Sequence, residues 1–335
     1  MIRTAGKEPF SLAVRRAFEL HTWRKIRMEI MSLINALPGA VAQGLIWGIM
    51  AIGVYLTYRI LDVADLTVDG TMCTGGAVCI MLMLNGCNVW VAMLAATGAG
   101  MLAGLATGIF HTFMGIPAIL AGILTQLSLY SVNLKLMGKA NQAINVGKYD
   151  LLVSLRYIKN VPFLQNTILI VAVIILILIA VLYWFFGTEL GCGLRATGCN
   201  PNMSRAQGIN TNRNKVIGLM LSNGLVAFSS ALLAQYQGFA DVNMGRGAIV
   251  IGLAAVIIGE AVFGKIFRNF AFRLFGVVLG SILYYLVLQT VIWMGIDTDL
   301  LKLLSALVVA FFLAFPYWKS KYFTKPVKRG GNTNA

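Results

Sequence analysis

The chain reads as an all-α, polytopic membrane helix bundle with about 8–9 transmembrane helices, and three observations give that reading. Apolar residues fill 59% of the 335 positions and charged residues only 12%, whereas an ordinary soluble domain carries about 25% charged residues. Apolar stretches of bilayer-spanning length recur along the whole chain. The 27 Lys and Arg outnumber the 12 Asp and Glu, and 19 of those cations fall in 1–31, 188–215, 264–273 and 319–329, short segments that flank apolar stretches. A single core cannot bury this much apolar surface, so much of it faces lipid. The same arithmetic excludes disordered, collagen-like, disulfide-scaffold and free-standing soluble enzyme readings.

Residues 1–31 hold seven Lys and Arg, and from 10 to 31 basic and apolar side chains interleave at helical spacing, as in an amphipathic helix lying on a membrane surface. They lack the continuous apolar run of a cleavable signal peptide, and Met28 would itself open a conventional start. Residues 32–318 form the transmembrane domain, with spans near 35–58, 68–84, 89–110, 115–137, 166–187, 214–234, 246–263, 272–294 and 298–318. Gly98, Gly100, Gly104 and Gly108, largely four apart, make a ridge suited to close helix packing in lipid. Residues 319–335 are a basic cytoplasmic tail. Counting back from that tail puts 264–273 and 188–214 inside, and 295–299 and 138–165 outside, the positive-inside arrangement, although 138–165 carries four Lys and Arg. Parity then leaves the basic N-terminus outside. Either one segment near 60–84 is broken or re-entrant, or the N-terminal helix lies on the outer surface.

Chemistry-bearing motifs are scarce. The five cysteines form no CxxC pair and no metal set with His21 or His111. No G-x-x-x-x-G-K-[ST], H-E-x-x-H or G-x-S-x-G occurs. The basic excess flanks membrane spans, so nucleic acid is not an expected partner; lipid is.

The loop 188–214 is the most informative stretch. Asn200 suits an N-cap, Pro201 the first helical position and Gly208 a left-handed stop. These frame a short cytoplasmic helix of about seven residues, roughly 10 Å long. With little to pack on in lipid, it is placed to be gripped by a partner protein. Gly193-Leu194-Arg195-Ala196-Thr197-Gly198-x-Asn200, followed by Ala206-x-Gly208-Ile209-Asn210, resembles the coupling loop of ABC importer permeases of the branched-chain amino-acid and ribose group. Ala64-Asp65-Leu66-Thr67-Val68-Asp69-Gly70 with Gly75-Gly76-Ala77, and the run Ala248–Gly259, are similar to two further stretches of that group. Asp62–Gly70 also resembles the subgroup paired with aromatic amino-acid binding proteins.

The resemblance implies an ATPase-coupling set: Arg195, Ala196, Thr197, Gly198, Asn200, Pro201, Arg205, Gly208 and Ile209. Arg195 would anchor the loop by bonding backbone carbonyls or an ATPase carboxylate. The implied partners are two ABC ATPase subunits holding ATP and Mg, a second permease copy or paralogue, and an external substrate-binding protein. This chain itself would bind no cofactor and perform no catalysis.

Polar residues inside spans are candidates for the transport path, because lipid penalises them. Asp65, Thr67 and Asp69 lie where a helix breaks, and read as path or gate, or as helix capping. Gln126, Ser128 and Asn133 dot an otherwise apolar span as further path candidates. Gln235, Tyr236, Gln237, Asp241 and Asn243 are expected at a solvated external helix end, and Glu260 could pair with Lys265. A weak echo of Ala64-Asp65-Leu66 in Ala240-Asp241-Val242 suggests an internal repeat. A stand-alone secondary transporter or channel is the rival reading. It would favour carboxylates deep within spans.

Overall fold

The computed structural model describes residues 35–149, 151–158, 166–264, 266–267 and 269–294, with isolated positions between 300 and 314. The basic segment 1–31 and the tail 319–335 lie outside the described residues, as does most of the span predicted at 298–318.

Among the described residues, seven helices are long and apolar enough to cross a membrane: α1 (Asn35–Ile60), α2 (Thr67–Leu84), α3 (Val89–Thr112), α4 (Ala118–Met137), α5 (Thr167–Phe185), α8 (Thr211–Gln237) and α10 (Phe270–Trp293). Two short helices, α6 (Glu189–Cys199) and α7 (Pro201–Ala206), fill the predicted cytoplasmic loop. The shorter apolar helix α9 (Ala248–Phe263) completes the set. Two three-residue strands, β1 (Asn141–Ala143) and β2 (Phe239–Asp241), pair antiparallel with Asn141 opposite Asp241. This pairing was not expected from the sequence, and it fixes residues 141–143 beside the far end of α8.

α8 is the axis of the bundle, and its polar residues set the register of its neighbours. Ser222 Oγ donates to the Gly53 carbonyl at 2.8 Å, Ser229 Oγ to Ile46 at 2.7 Å and Tyr236 Oη to Gly39 at 3.3 Å, so α1 runs antiparallel to α8. α3 is antiparallel too: Gly108 faces Val216, Gly104 faces Leu219 and Gly100 faces Asn223 and Ala227. Three of the four ridge glycines therefore pack as expected, while Gly98 meets open space. If the basic loop sets the end that carries α6 and α7 as cytoplasmic, Asn35 lies at the opposite end, since Gly39 is bonded by Tyr236 at the far end of α8.

The break near residue 60 is real, but the segment still crosses. α1 closes with a π turn at Leu56–Ile60 at the cytoplasmic end, and Asp62 then takes a left-handed φ of 55°, which Asp tolerates better than most residues. The chain returns as non-helical backbone over 61–66, and α2 starts opposite Asn223, halfway along α8, before running outward. α9 does the reverse. It starts beside Asp69 in the first turn of α2 and runs to the cytoplasmic end, where Glu260 pairs with Arg59 at 3.1 Å. Glu260 thus has Arg59 as its partner; Lys265 lies outside the described residues. Two half-helices, entered from opposite ends, meet at mid-depth with their N-termini together. Irregular backbone survives there because it is partly buried in protein, at Leu61, Val63 and Asp65, and partly lines a recess, at Val242 and Arg246.

Gln235 and Tyr236 are buried rather than solvated. Gln235 accepts from the Leu152 amide at 3.2 Å, and its own amide faces Cys79 Sγ.

A Cβ at Gly104 would overlap the Leu219 carbonyl, whereas one at Gly98 meets nothing within 4 Å. Gly104→Leu is therefore expected to cost well over the roughly 1–3 kcal/mol of ordinary overpacking and to remove the monodisperse peak in fluorescence-detected size exclusion. Gly98→Leu should elute like the parent chain; equal behaviour of the two would refute the packing assigned to this face.

Candidate functional site

At the cytoplasmic end, each predicted coupling residue has a defined place. Thr188 opens α6 by accepting from the Gly191 amide at 3.4 Å. Arg195 donates to the Phe186 carbonyl at the end of α5, and its guanidinium lies 5.7 and 5.2 Å from the ring centres of Phe186 and Phe270. Arg195 is thus engaged by its own chain, through a carbonyl and two aromatic faces. Ala196 stands one turn before the end of α6, where its carbonyl accepts from the Asn200 amide at 3.0 Å. Thr197 is buried, and its hydroxyl accepts from Asn214 Nδ2 at 3.0 Å, tying α6 to the first turn of α8. Gly198 presses against the Ile60 carbonyl, a contact that no side chain would permit.

α7 is fastened at both ends. Asn200 Oδ1 accepts from the Met203 amide at 3.1 Å, with Pro201 at the first position. Gly208 stops the helix with φ 80°, and Ile209 folds back to bond the Ser204 carbonyl at 3.0 Å. Arg205 Nε reaches Thr211 Oγ1 at 2.7 Å, and Asn210 caps α8 by accepting from the Arg213 amide at 3.1 Å. Six residues of helix are thereby held in one orientation, with Met203 59% exposed.

At mid-depth the two predicted carboxylates both cap helices. Asp65 is buried; Oδ1 accepts from the Thr67 amide at 2.9 Å and Oδ2 from Asn223 Nδ2 at 2.7 Å. Asp69 accepts at Oδ2 from the Gly247 amide and at Oδ1 from the Ile249 amide, both at 3.0 Å. One carboxylate therefore closes the start of α2 and the other the start of α9, where exposed amides and the helix dipole favour negative charge. Thr67 continues the network outward, its hydroxyl 2.7 Å from that of Thr107, which is 2.8 Å from Thr125, linking α2, α3 and α4. Asn223, which sequence reasoning missed, holds both Asp65 and, through Oδ1, the Thr71 hydroxyl at 2.7 Å. An asparagine inside a span was the available signal.

Above this level a recess of about 370 Å³ brings together Asp69, Cys73, Gln126, Tyr130, Asn133 and Arg246. Asn133 is fully buried, and neither atom of its amide has a partner among the described residues. Three predicted path residues, Asp69, Gln126 and Asn133, line this recess. Three do not. Asp65 and Thr67 are buried beneath it, and Ser128 is exposed on another face of α4, bonded to the Leu124 carbonyl of its own helix.

A family model described as the permease component of a branched-chain amino acid transport system matches residues 37–313. The chain belongs to this permease family. A tyrosine transport system permease protein of Clostridioides difficile (strain R20291) is 37% identical over 281 residues, covering 84% of this chain and 91% of that protein. An uncharacterized protein of Rickettsia prowazekii (strain Madrid E) is 36% identical over 281 residues, covering 82% and 96%. A fructose import permease protein of Bifidobacterium longum (strain NCC 2705) is 25% identical over 249 residues, covering 73% and 67%. No solved structure matches. The permease is a multi-pass protein of the cytoplasmic membrane and the transmembrane subunit of an ABC importer.

Removing the Asn223 amide leaves a buried carboxylate short of a donor, so Asn223→Leu is expected to cost about 3–5 kcal/mol. In the Asp65→Asn background, where no charge is stranded, the same change should cost clearly less. A thermal-melt double-mutant cycle checks this, and additive effects would show that the pair carries no special weight.

Proposed function

We propose that this permease carries an amino acid across the membrane by alternating access, driven by ATPase subunits that grip α7. The observation that supports this most directly is α7 itself: a short helix fastened at Asn200, Arg205 and Gly208 that exposes Met203 to the cytoplasm. A free loop would absorb a push; a helix tied at both ends transmits one. Its motion has a contiguous route inward. Asn200 is shared with α6, Gly198 of α6 abuts Ile60, and five residues on, Asp65 holds the start of α2. Each state must make different contacts, because ATP shifts the equilibrium only by its differential affinity for the two.

In this reading ATP and Mg belong to two partner ATPases, this chain hydrolyses nothing, a second permease copy or paralogue completes the pore, and a binding protein delivers substrate from outside. The recess at Asp69, Gln126 and Asn133 is the outer part of the path. An aromatic amino acid, tyrosine first, is the substrate to test: the Asp62–Gly70 run resembles the aromatic subgroup, and the Clostridioides relative is named for tyrosine. Ion-gradient coupling gains no support from Asp65 and Asp69, whose oxygens are already taken by amide donors.

The deciding experiment reconstitutes the chain with its ATPase and binding protein in liposomes and follows radiolabelled tyrosine. Met203→Glu should lower substrate-stimulated ATP hydrolysis at least about tenfold, a loss of roughly 1.4 kcal/mol in coupling, with unchanged membrane abundance. Wild-type stimulation in that variant would end the α7 proposal. Asn133→Leu should slow uptake severalfold while leaving basal ATP hydrolysis intact; unaltered uptake kinetics would remove the recess from the path.

A further inference from the structure

The helix α5 is unlike its neighbours. From Ile168 to Leu182 it carries no polar side chain, and it touches the bundle through one stripe, Val171, Ile175, Ile179 and Leu182. Val173, Leu176, Ile177, Val181 and Trp184 are exposed. Such a surface is unsuited to water and matches acyl chains, giving an apolar track along the bilayer. Where α5 reaches the cytoplasmic end, a cavity of about 610 Å³ opens between it, α1, α6 and α10. Three guanidiniums line it, from Arg59, Arg195 and Arg273, together with Tyr55, Tyr183 and Phe270.

The charges of these cations are only partly answered. Arg59 pairs with Glu260 at 3.1 Å. Arg195 spends one N–H on the Phe186 carbonyl and rests against two rings, and no carboxylate pairs with it among the described residues. Arg273 forms no ion pair among the described residues. The cavity therefore holds a net positive charge at the depth of the headgroups, with an apolar helix leading into it from the bilayer. Guanidiniums match phosphate oxygens bidentately, and basic pockets between helices on the cytoplasmic side suit anionic headgroups.

We propose that this cavity is a binding site for an anionic glycerophospholipid, its phosphate held by Arg273 and Arg195 and its acyl chains laid along α5. The phosphate chemistry alone would also fit free phosphate, but the entrance along α5 commits the site to lipid. The site does not depend on what the permease carries.

The test uses the full chain purified in detergent and stripped of lipid, with short-chain phosphatidylglycerol, short-chain phosphatidylcholine and inorganic phosphate as probes, read by thermal shift and native mass spectrometry. Phosphatidylglycerol should raise the melting temperature saturably and remain bound as a discrete adduct, and the other two should not. Arg273→Gln should weaken phosphatidylglycerol about tenfold, one charge-assisted contact's worth, and Arg273→Lys, which keeps the charge but loses the fork, should fall between Gln and the parent. If Arg273→Gln does not fold, Glu260→Gln, which frees Arg59, decides: it should tighten binding, and unchanged affinity counts against the site. Equal shifts with both lipids overturn the proposal, as do saturation by phosphate alone and full affinity in Arg273→Gln. A phosphatidylglycerol shift that disappears when the ATPase is bound gives the cavity to the motor instead. None of these outcomes bears on tyrosine uptake, so failure here leaves the proposed function standing.

Discussion

Two helices of this permease begin in the middle of the bundle, and at each start a carboxylate accepts from the backbone amides. A helix start exposes amide donors that water would normally satisfy, and water is the one thing the bilayer core does not supply. Asp65 closes α2, and Asp69, one turn further on the same helix, closes α9. Asn223 then fixes Asp65 to the central helix α8. The register of α2, the start of α9 and the shape of the recess beside Asp69 all follow from these bonds. The acids are tolerated at this depth because every oxygen is met by an N–H.

The cytoplasmic loop is joined to that core by direct contact. α6 carries no long apolar face of its own; it is held by Arg195 on Phe186, by Thr197 on Asn214 and by the bare approach of Gly198 to Ile60. The last of these touches the chain where α1 gives way to the non-helical segment leading to Asp65. In the proposed mechanism a displacement of α7 is delivered to the break, and not to the middle of an intact helix.

What the sequence made legible was mostly local. Asn200, Pro201 and Gly208 announced α7 because capping is decided within a few residues. The glycine spacing from 100 to 108 announced a close approach without naming α8 as its partner. α6 escaped notice because Gly191, Gly193 and Gly198 lower its intrinsic helix propensity; packing, not propensity, holds it. Asp65 and Asp69 stood out as costly, yet their roles depended on Asn223 and on amides 178 and 180 residues away from Asp69, beyond the reach of any window. Ser128 was grouped with Gln126 and Asn133 by composition, although helical spacing sets 126, 130 and 133 on one side and 128 on another. The β1–β2 pair left no pattern at all, being three residues long on each side.

The contact between α3 and α8 has one more consequence. Backbone lies almost on backbone at Gly100 and Gly104, and the side chains that do enter the contact are seated on glycines, Val216 on Gly108 and Met101 on Gly224, which leaves little to repack into a second arrangement. They form a stiff double rod that tilts as one piece or stays still. Any rearrangement that opens first one mouth of the pore and then the other must therefore be absorbed around this rod, in the joints on either side of it.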